Sequence, residues 1–282
     1  MTAAITAAMS ALNKAQPVIL VDGESSACIP ADDRGFLYGD GVFRTLRMVA
    51  GKPLWWLEQV AKLTEDAGRI GLAAPDSAVW CADLDRFPAQ LTDGILKLIV
   101  TRGSGPRGYL PPAAQPVRRL MVFDAAPNSG QRTSDLCVRI CSLRLGWQPR
   151  LAGIKHLNRL ENVLARSEWS APEIHEGLML DHAERVICGV MSNLFIWQRN
   201  RLLTPRLDQC GVAGVTRGRL MRLASERGLD VEEADLNLQA VFEADEVMLT
   251  NSVMGLRRVA RLETKNWPDP LISPRLKEWL DA

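Results

Sequence analysis

Residues 153–169 read GIKHLNRLENVLARSEW, and the reading of this stretch decides the fold. Asn158 and Glu161 have the N-x-x-E spacing of a capping box, in which each side chain satisfies the other's backbone N–H. Leu157, Leu160, Val163 and Leu164 then recur at helical spacing, which predicts a helix with one buried face. Lys155 therefore falls in the short approach to a helix, three residues ahead of the cap. Only seven lysines (Lys14, Lys52, Lys62, Lys97, Lys155, Lys265, Lys277) occur among 34 basic side chains. Unlike arginine, lysine loses its proton readily when desolvated and becomes nucleophilic. A surface side chain is the alternative for Lys155 taken alone.

Outward from this stretch the chain alternates short strands with helices. PVILVDGE reads as a strand closing in an Asp-Gly turn, and KPLWWLEQVAKLTEDAGRIGL as an amphipathic helix ended by glycine. GILKLIVTRG, RRLMVFDAA and LCVRICSLRL are strands. EGLMLDHAERVICGVMSNLFIWQRNRLLTP reads as strands broken at HAER and QRNR. AGVTRGRLMRLASERGL is a helix, VEEADLN a strand running into a turn, and ADEVMLTNS the last strand. Mainly hairpin-linked strands mixed with helices predict an α+β fold of two domains, not a doubly wound sheet. The boundaries are read as an N-terminal extension over 1–16, a smaller domain over 17–125, a turn-rich linker over 126–135 and a larger domain over 136–282.

The composition bounds the function. With 282 residues, 47% apolar, the chain can bury a substantial core, and 34 basic against 33 acidic residues leave a net charge of +1. No overall field draws it to nucleic acid or an acidic membrane surface. Six scattered cysteines without a C-x-x-C pair, and three histidines without H-x-x-x-H, point to reduced thiols and no metal site. No run reaches membrane-spanning length. The first sixteen residues lack a basic start and an unbroken apolar stretch, and read as a frayed or loosely helical extension rather than a signal peptide.

GSGPRG, residues 103–108, matches the glycine pattern of a dinucleotide site, with Asp124 about twenty residues on. Such a turn must open a helix whose N–H groups face the phosphates. YLPPAAQP follows instead, and its three prolines cannot continue one. The segment is read as a glycine-rich hairpin loop whose Arg102 and Arg107 could grip a carboxylate.

GIKHLNRLENVLAR, then GVMSNLF, then LLTPRLDQCGVAGVTRGRLM resemble in order and spacing the fold-type IV pyridoxal-phosphate enzymes. DRGFLYGDGVFRTLR and VTRGSGPRGY are similar to the aminodeoxychorismate lyase branch of that family. The resemblance runs from about Val18 to Val259 and implies a cytosolic homodimer with pyridoxal 5′-phosphate at the domain interface. It implies that Lys155 carries the cofactor and then serves as the base. It implies a phosphate cup at Gly214, Val215 and Thr216 with Asn251 and Ser252 opposite, and Asn193 beside the cofactor. Taken singly, these residues are also ordinary cap and turn formers.

Two positions depart from the family pattern. Lys62 stands where many members hold the phosphate with arginine, and Cys188 where a glutamate commonly faces the pyridine nitrogen. A thiol of pKa about 8.5 supplies little negative charge at neutral pH, which should penalise transamination more than elimination. Glu184 could substitute only if its hairpin folds toward the ring. Thr45 is a candidate to hydrogen-bond the leaving ether or the lysine amine, and Tyr109 to reach the site from the glycine loop. Arg102, Arg107 and Arg159 are the matching cations for a dicarboxylate substrate, with a solvated Arg159 as the alternative. His156 is read as packing or support, since neighbours on an extended segment point oppositely. The competing readings are a D-amino-acid or branched-chain aminotransferase of the same fold, and a non-catalytic protein that binds the cofactor.

Overall fold

A computed structural model describes residues 17–26, 28–88, 91–112, 116–125 and 135–282. They form two sheets. The first is built from β1 (Val18–Val21), β2 (Glu24–Ser25), β3 (Gly41–Val49), β4 (Lys52–Pro53), β5 (Gly94–Thr101) and β6 (Arg118–Ala125), in the order β2-β1-β6-β5-β3-β4. All its pairings are antiparallel. Alternation assigns its faces. Leu46, Leu96, Leu98 and Val100 have no exposed surface and pack under α2 (Trp56–Arg69), which contributes Val60, Leu63 and Ala67, with the fully buried Trp80 of α3 (Ser77–Leu84) beside them. A further short helix, α1 (Arg34–Tyr38), precedes β3 and ends at Gly39, whose φ of 65° suits a residue without a Cβ.

The second sheet uses β7 (Leu136–Leu145), β8 (Glu176–Asp181), β9 (Val186–Gly189), β10 (Asn193–Gln198), β11 (Arg201–Pro205), β12 (Asp230–Ala234), β13 (Glu246–Asn251), β14 (Gly255–Leu262) and β15 (Lys265–Asn266). The order is β12-β11-β10-β13-β14-β7-β8-β9, with β15 beside β14. Three of its pairings are parallel, β11 with β12, β14 with β7 and β7 with β8. β8, β9 and most of β10 are buried on both faces, so they read as continuous apolar runs. One face meets α5 (Val215–Glu226) and α7 (Ser273–Asp281) through Phe195, Met248, Leu220 and Leu276. Leu178, Leu194, Val241 of α6 (Leu238–Phe242), Val247 and Leu249 form a separate core. The fold is the expected α+β arrangement of mainly antiparallel strands.

The stretch after Gly153 joins the two sheets. The Phe43 N–H donates to the Lys155 carbonyl (3.0 Å) and the Leu157 N–H to the Gly41 carbonyl (2.9 Å), which adds an isolated bridge, Val42 to His156, at the edge of β3. On its other side the Gly153 N–H donates to the Gly211 carbonyl (3.0 Å) and the Ala213 N–H to the Gly153 carbonyl (2.9 Å).

Several expectations need correction. ADEVMLTNS is not the last strand, because β14 and β15 follow it. The helix after Lys155, α4 (Leu160–Arg166), has Arg159 at its N-cap and no side-chain cap. Asn158 instead donates to the Gly39 carbonyl (3.2 Å), and the Glu161 carboxylate accepts the Gly146 N–H (2.8 Å). Its apolar residues are not buried either: Leu160, Val163 and Leu164 are 69%, 57% and 53% exposed. In keeping with the reading from its prolines, GSGPRG opens no helix among the described residues. The N-terminal extension over 1–16 lies outside the described residues, as does all of the 126–135 linker except Asp135. We propose that the domain boundary falls in that linker.

Gly153 has a φ of 80°, and a Cβ there would meet nothing nearer than 3.5 Å. Gly153→Ala should therefore cost only its left-handed backbone, about 1–2 kcal/mol, read as a lower urea midpoint at unchanged slope.

Candidate active site

A cavity of about 1100 Å³ lies between the two sheets, walled by Phe43, Arg44 and Thr45 of β3, the Lys155 segment, and Cys188 to Asn193. The start of α5 and residues 251–254 after β13 close it. This volume is ample for a cofactor and a small substrate together. Among the described residues no group of three or more His, Cys, Asp or Glu could hold a metal ion.

Lys155 enters this cavity with its main chain fixed from both sides. Its own N–H donates to Asp66 Oδ2 (3.0 Å). Its ammonium lies 4.7 Å from the centre of the Phe43 ring, and Lys97 approaches the same ring at 4.7 Å. Lys97 comes to the site because β5 pairs with β3 in the register Thr45 to Lys97. Burial, then the charges of Arg44, Arg159 and Lys97, pull the Lys155 pKa down to about 8. Desolvation and crowding by cations both favour the uncharged amine, so roughly a tenth of Lys155 is uncharged at pH 7, far more than for an ordinary lysine. Thr45 lines the cavity from the same strand as Phe43.

One end of the cavity is built for an anion. Helix α5 begins there at Gly214 with no side-chain cap and no acidic residue in its first turn, so its leading N–H groups and dipole are left for a ligand. Asn193 shapes this end. Its Nδ2 donates to the Val212 carbonyl (2.7 Å) and its Oδ1 accepts the Gly214 N–H (3.1 Å). A Cβ on Gly214 would collide with that amide. The Thr216 and Ser252 hydroxyls lie 3.1 Å apart, and Gln59 of α2 donates to Ser252 (2.9 Å). Asn251 fixes the following turn, accepting the Val253 and Met254 N–H groups (2.9 and 2.8 Å) and donating to the Met191 carbonyl (3.1 Å). Gly214, Val215, Thr216, Asn251 and Ser252 thus line one space.

Cys188 also lines the cavity, and its thiol is neutral because burial pushes its pKa upward. Arg159 lines the wall nearby. It donates to the His156 carbonyl (2.9 Å), to His156 Nε2 (2.6 Å) and to Asn162 (3.4 Å), so it is held and not merely solvated. His156, read from the sequence as packing or support, lines the cavity too. With Nε2 accepting from a guanidinium, its proton belongs on Nδ1, and burial followed by the Arg159 charge lowers its pKa to about 4.

Five residues considered from the sequence do not line the cavity of this chain. Lys62 is spent locally on Glu65 (2.6 Å) and Asp66 (2.9 Å), and Gln59, one turn earlier on α2, reaches the anion end instead. Arg102 donates to Asp40 (2.7 Å) and to the Gly71 and Ile70 carbonyls (3.0 and 2.8 Å), which leaves it a brace. Arg107 is exposed, and Tyr109 is 85% exposed with its ring edge-on to Tyr38. Glu184 is turned away, paired with Arg144 at 2.8 Å. Sequence reading missed Arg44, Gln59, Asp66 and Lys97. Gln59 and Asp66 carry a detectable signal, since they share the buried face of α2 with Val60, Leu63 and Ala67.

Comparison with known proteins agrees with this geometry. A family model described as amino-transferase class IV matches residues 41–262. An aminodeoxychorismate lyase of Vibrio harveyi is 34% identical, over 85% of this chain and 89% of its own length. The crystal structure of a 4-amino-4-deoxychorismate lyase from Pseudomonas aeruginosa superposes with a TM-score of 0.88 and 42% identity, covering 93% of this chain and 98% of that one. A branched-chain amino acid aminotransferase of Escherichia coli, 21% identical with a TM-score of 0.81 over 93% and 92% of the two chains, shares the fold.

His156 generates a stability prediction. The unfolded chain binds a proton on this imidazole below about 6.5, whereas the folded chain resists until about 4. Across that window the unfolded state carries more protons, so stability falls as the pH drops through it. Urea melts of wild type at pH 7 and 4.5 should differ more than those of His156→Gln, which keeps an acceptor for Arg159 but does not titrate.

Proposed function

The chain belongs to the class IV aminotransferase family, and within it we propose that this protein is a lyase that converts 4-amino-4-deoxychorismate to 4-aminobenzoate and pyruvate, a step toward folate, using pyridoxal 5′-phosphate. Members of the family are pyridoxal-phosphate-dependent. The observation that carries the reading is the desolvated Lys155 amine, pKa about 8, in one cavity with an uncapped helix start. A carbonyl needs that amine, and a phosphate dianion needs that helix end.

The residues present therefore fit the cofactor. Lys155 would carry it; Gly214, Val215, Thr216 and Ser252 would hold its phosphate, with Asn251 and Asn193 fixing those loops and Cys188 facing its ring. Bound there, pyridoxal phosphate supplies a carbonyl for the substrate amine and an electron-poor ring that acidifies the carbon bearing that amine. Lys155, once released, takes the proton from C4 of the substrate ring. The electron pair left at C4 expels the C3 ether oxygen, so the six-membered ring becomes aromatic, and the released enolpyruvate takes up one proton on carbon to become pyruvate, which balances the proton removed by Lys155. Thr45 is proposed to donate to the departing ether oxygen or to steady the Lys155 amine. Arg159 and Lys97 supply cations for the substrate's two carboxylates; each is desolvated and correspondingly strong as a partner. Arg107 and Tyr109, exposed on their loop, remain candidates for substrate contact only across an assembly. Neutral Cys188 leaves the ring a weaker electron store, which favours elimination with aromatisation over transamination.

We also propose a cytoplasmic homodimer. All six cysteines are free, and among the described residues no helix is long and apolar enough to cross a membrane. The outer face of α4, with Leu160, Val163 and Leu164 uncovered beside the site, is the surface that asks for a second copy.

Two measurements test this. With added pyridoxal phosphate the protein should turn yellow, borohydride should fix the added mass on Lys155, and 4-amino-4-deoxychorismate should release pyruvate and 4-aminobenzoate in equal amounts. Lys155→Ala should lose at least ~10³-fold of that rate; equal rates in parent and variant, or turnover of D-alanine or branched-chain amino acids alone, would remove the proposal. For assembly, light scattering should give twice the 31.2 kDa chain mass. Leu160→Glu with Leu164→Glu should give the single-chain mass.

A further inference from the structure

Asp66 has no exposed side-chain surface, although it lies on a helix facing an otherwise apolar core. A buried carboxylate is costly unless it is paired, and three partners converge on this one. Arg44 donates a close hydrogen bond to Oδ2, the Lys155 main-chain N–H donates to the same oxygen (3.0 Å), and the Lys62 ammonium lies 2.9 Å from Oδ1. Arg44 is equally buried, at 2%, with its Nε unpartnered and its Nη1 at 3.5 Å from the Ala213 carbonyl beside the start of α5. One carboxylate on α2 therefore holds both the backbone of the reactive lysine and the guanidinium that crowds its amine.

We propose that Asp66 is a positioning residue for Lys155: it fixes the lysine's main chain through the N–H bond and, by binding Arg44, limits the positive charge the ε-amine meets. This deepens the reading above and rests on Lys155 as the working amine. The other groups facing that amine are Lys97 from β5, Arg159 and neutral His156 from its own segment, and the neutral thiol of Cys188 from β9. With Arg44 the set holds three cations, and Asp66 is the carboxylate bound to the first of them. Without the Asp66 charge, Arg44 stays cationic and uncompensated, and the protonated form of Lys155 is further disfavoured. Without the Arg44 charge, the protonated form gains.

The test is the titration of Lys155 in the full-length chain before any cofactor is added. Reductive methylation with formaldehyde and cyanoborohydride, read by peptide mass spectrometry against pH, gives the midpoint of the amine. Wild type should titrate near 8. Asp66→Asn keeps an acceptor for the N–H and removes the charge; its midpoint should fall by about one unit, roughly a tenfold rise in the ratio of uncharged to charged amine. Arg44→Gln should raise the midpoint by a similar amount, and the double variant should return close to wild type. Circular dichroism checks that each variant folds. A folded Asp66→Asn with an unchanged or higher midpoint overturns the proposal; should that variant not fold, an unchanged midpoint in Arg44→Gln overturns it. The labelling needs neither pyridoxal phosphate nor substrate, so these outcomes are independent of whether the lyase assay succeeds.

Discussion

The structure turns on where Lys155 is allowed to be. Four main-chain hydrogen bonds, two to β3 and two to residues 211 and 213, seat the segment from Gly153 to Leu157 between the sheets before any side chain is counted. A backbone bridge of this kind tolerates almost any sequence except at Gly153, where the positive φ is required. The segment is thus a fixed platform, and chemistry depends on which side chain the platform presents. Lysine there is buried and faces three cations, which is why its amine lies well below the ordinary value.

The same placement explains the polarity of the cavity. β3 presents Thr45 to the cavity with Lys97 of β5 paired to it and set against Phe43, α5 opens with bare N–H groups, and Arg159 is held to His156 at the wall. The interior has an excess of positive potential although the chain as a whole is nearly neutral. Such a field suits a ligand with several anionic groups. The neutral thiols of Cys188 and Cys210, the latter with its pKa pushed up to about 12 by burial, add no opposing charge.

Strands with strict alternation or continuous apolar runs, such as those at Gly94 and Glu176, were readable because their burial follows their period. GLRRVARL was not, since three arginines mask a strand that buries Leu256, Val259 and Leu262. The place of Lys155 ahead of a helix was legible locally, whereas its partners around the α5 start were legible only through the family resemblance, since they lie up to about a hundred residues away and the fold brings them to one cavity. Lys62 and Arg102 were not, because each finds a carboxylate closer than the cavity: Glu65 and Asp66 for one, Asp40 for the other. Asp66 itself shows that a polar residue on the inner face of an amphipathic helix is worth reading as a signal. Periodicity on α4 correctly marked an apolar face but could not say that the face lies uncovered within one chain.

That uncovered face begins immediately beyond the lysine platform, on the same continuous stretch of chain. If a second copy covers α4 as proposed, cohesion between chains and competence at the amine would be mechanically in series. Specific activity per chain would then fall on extreme dilution and recover on concentration, without any ligand acting as a regulator.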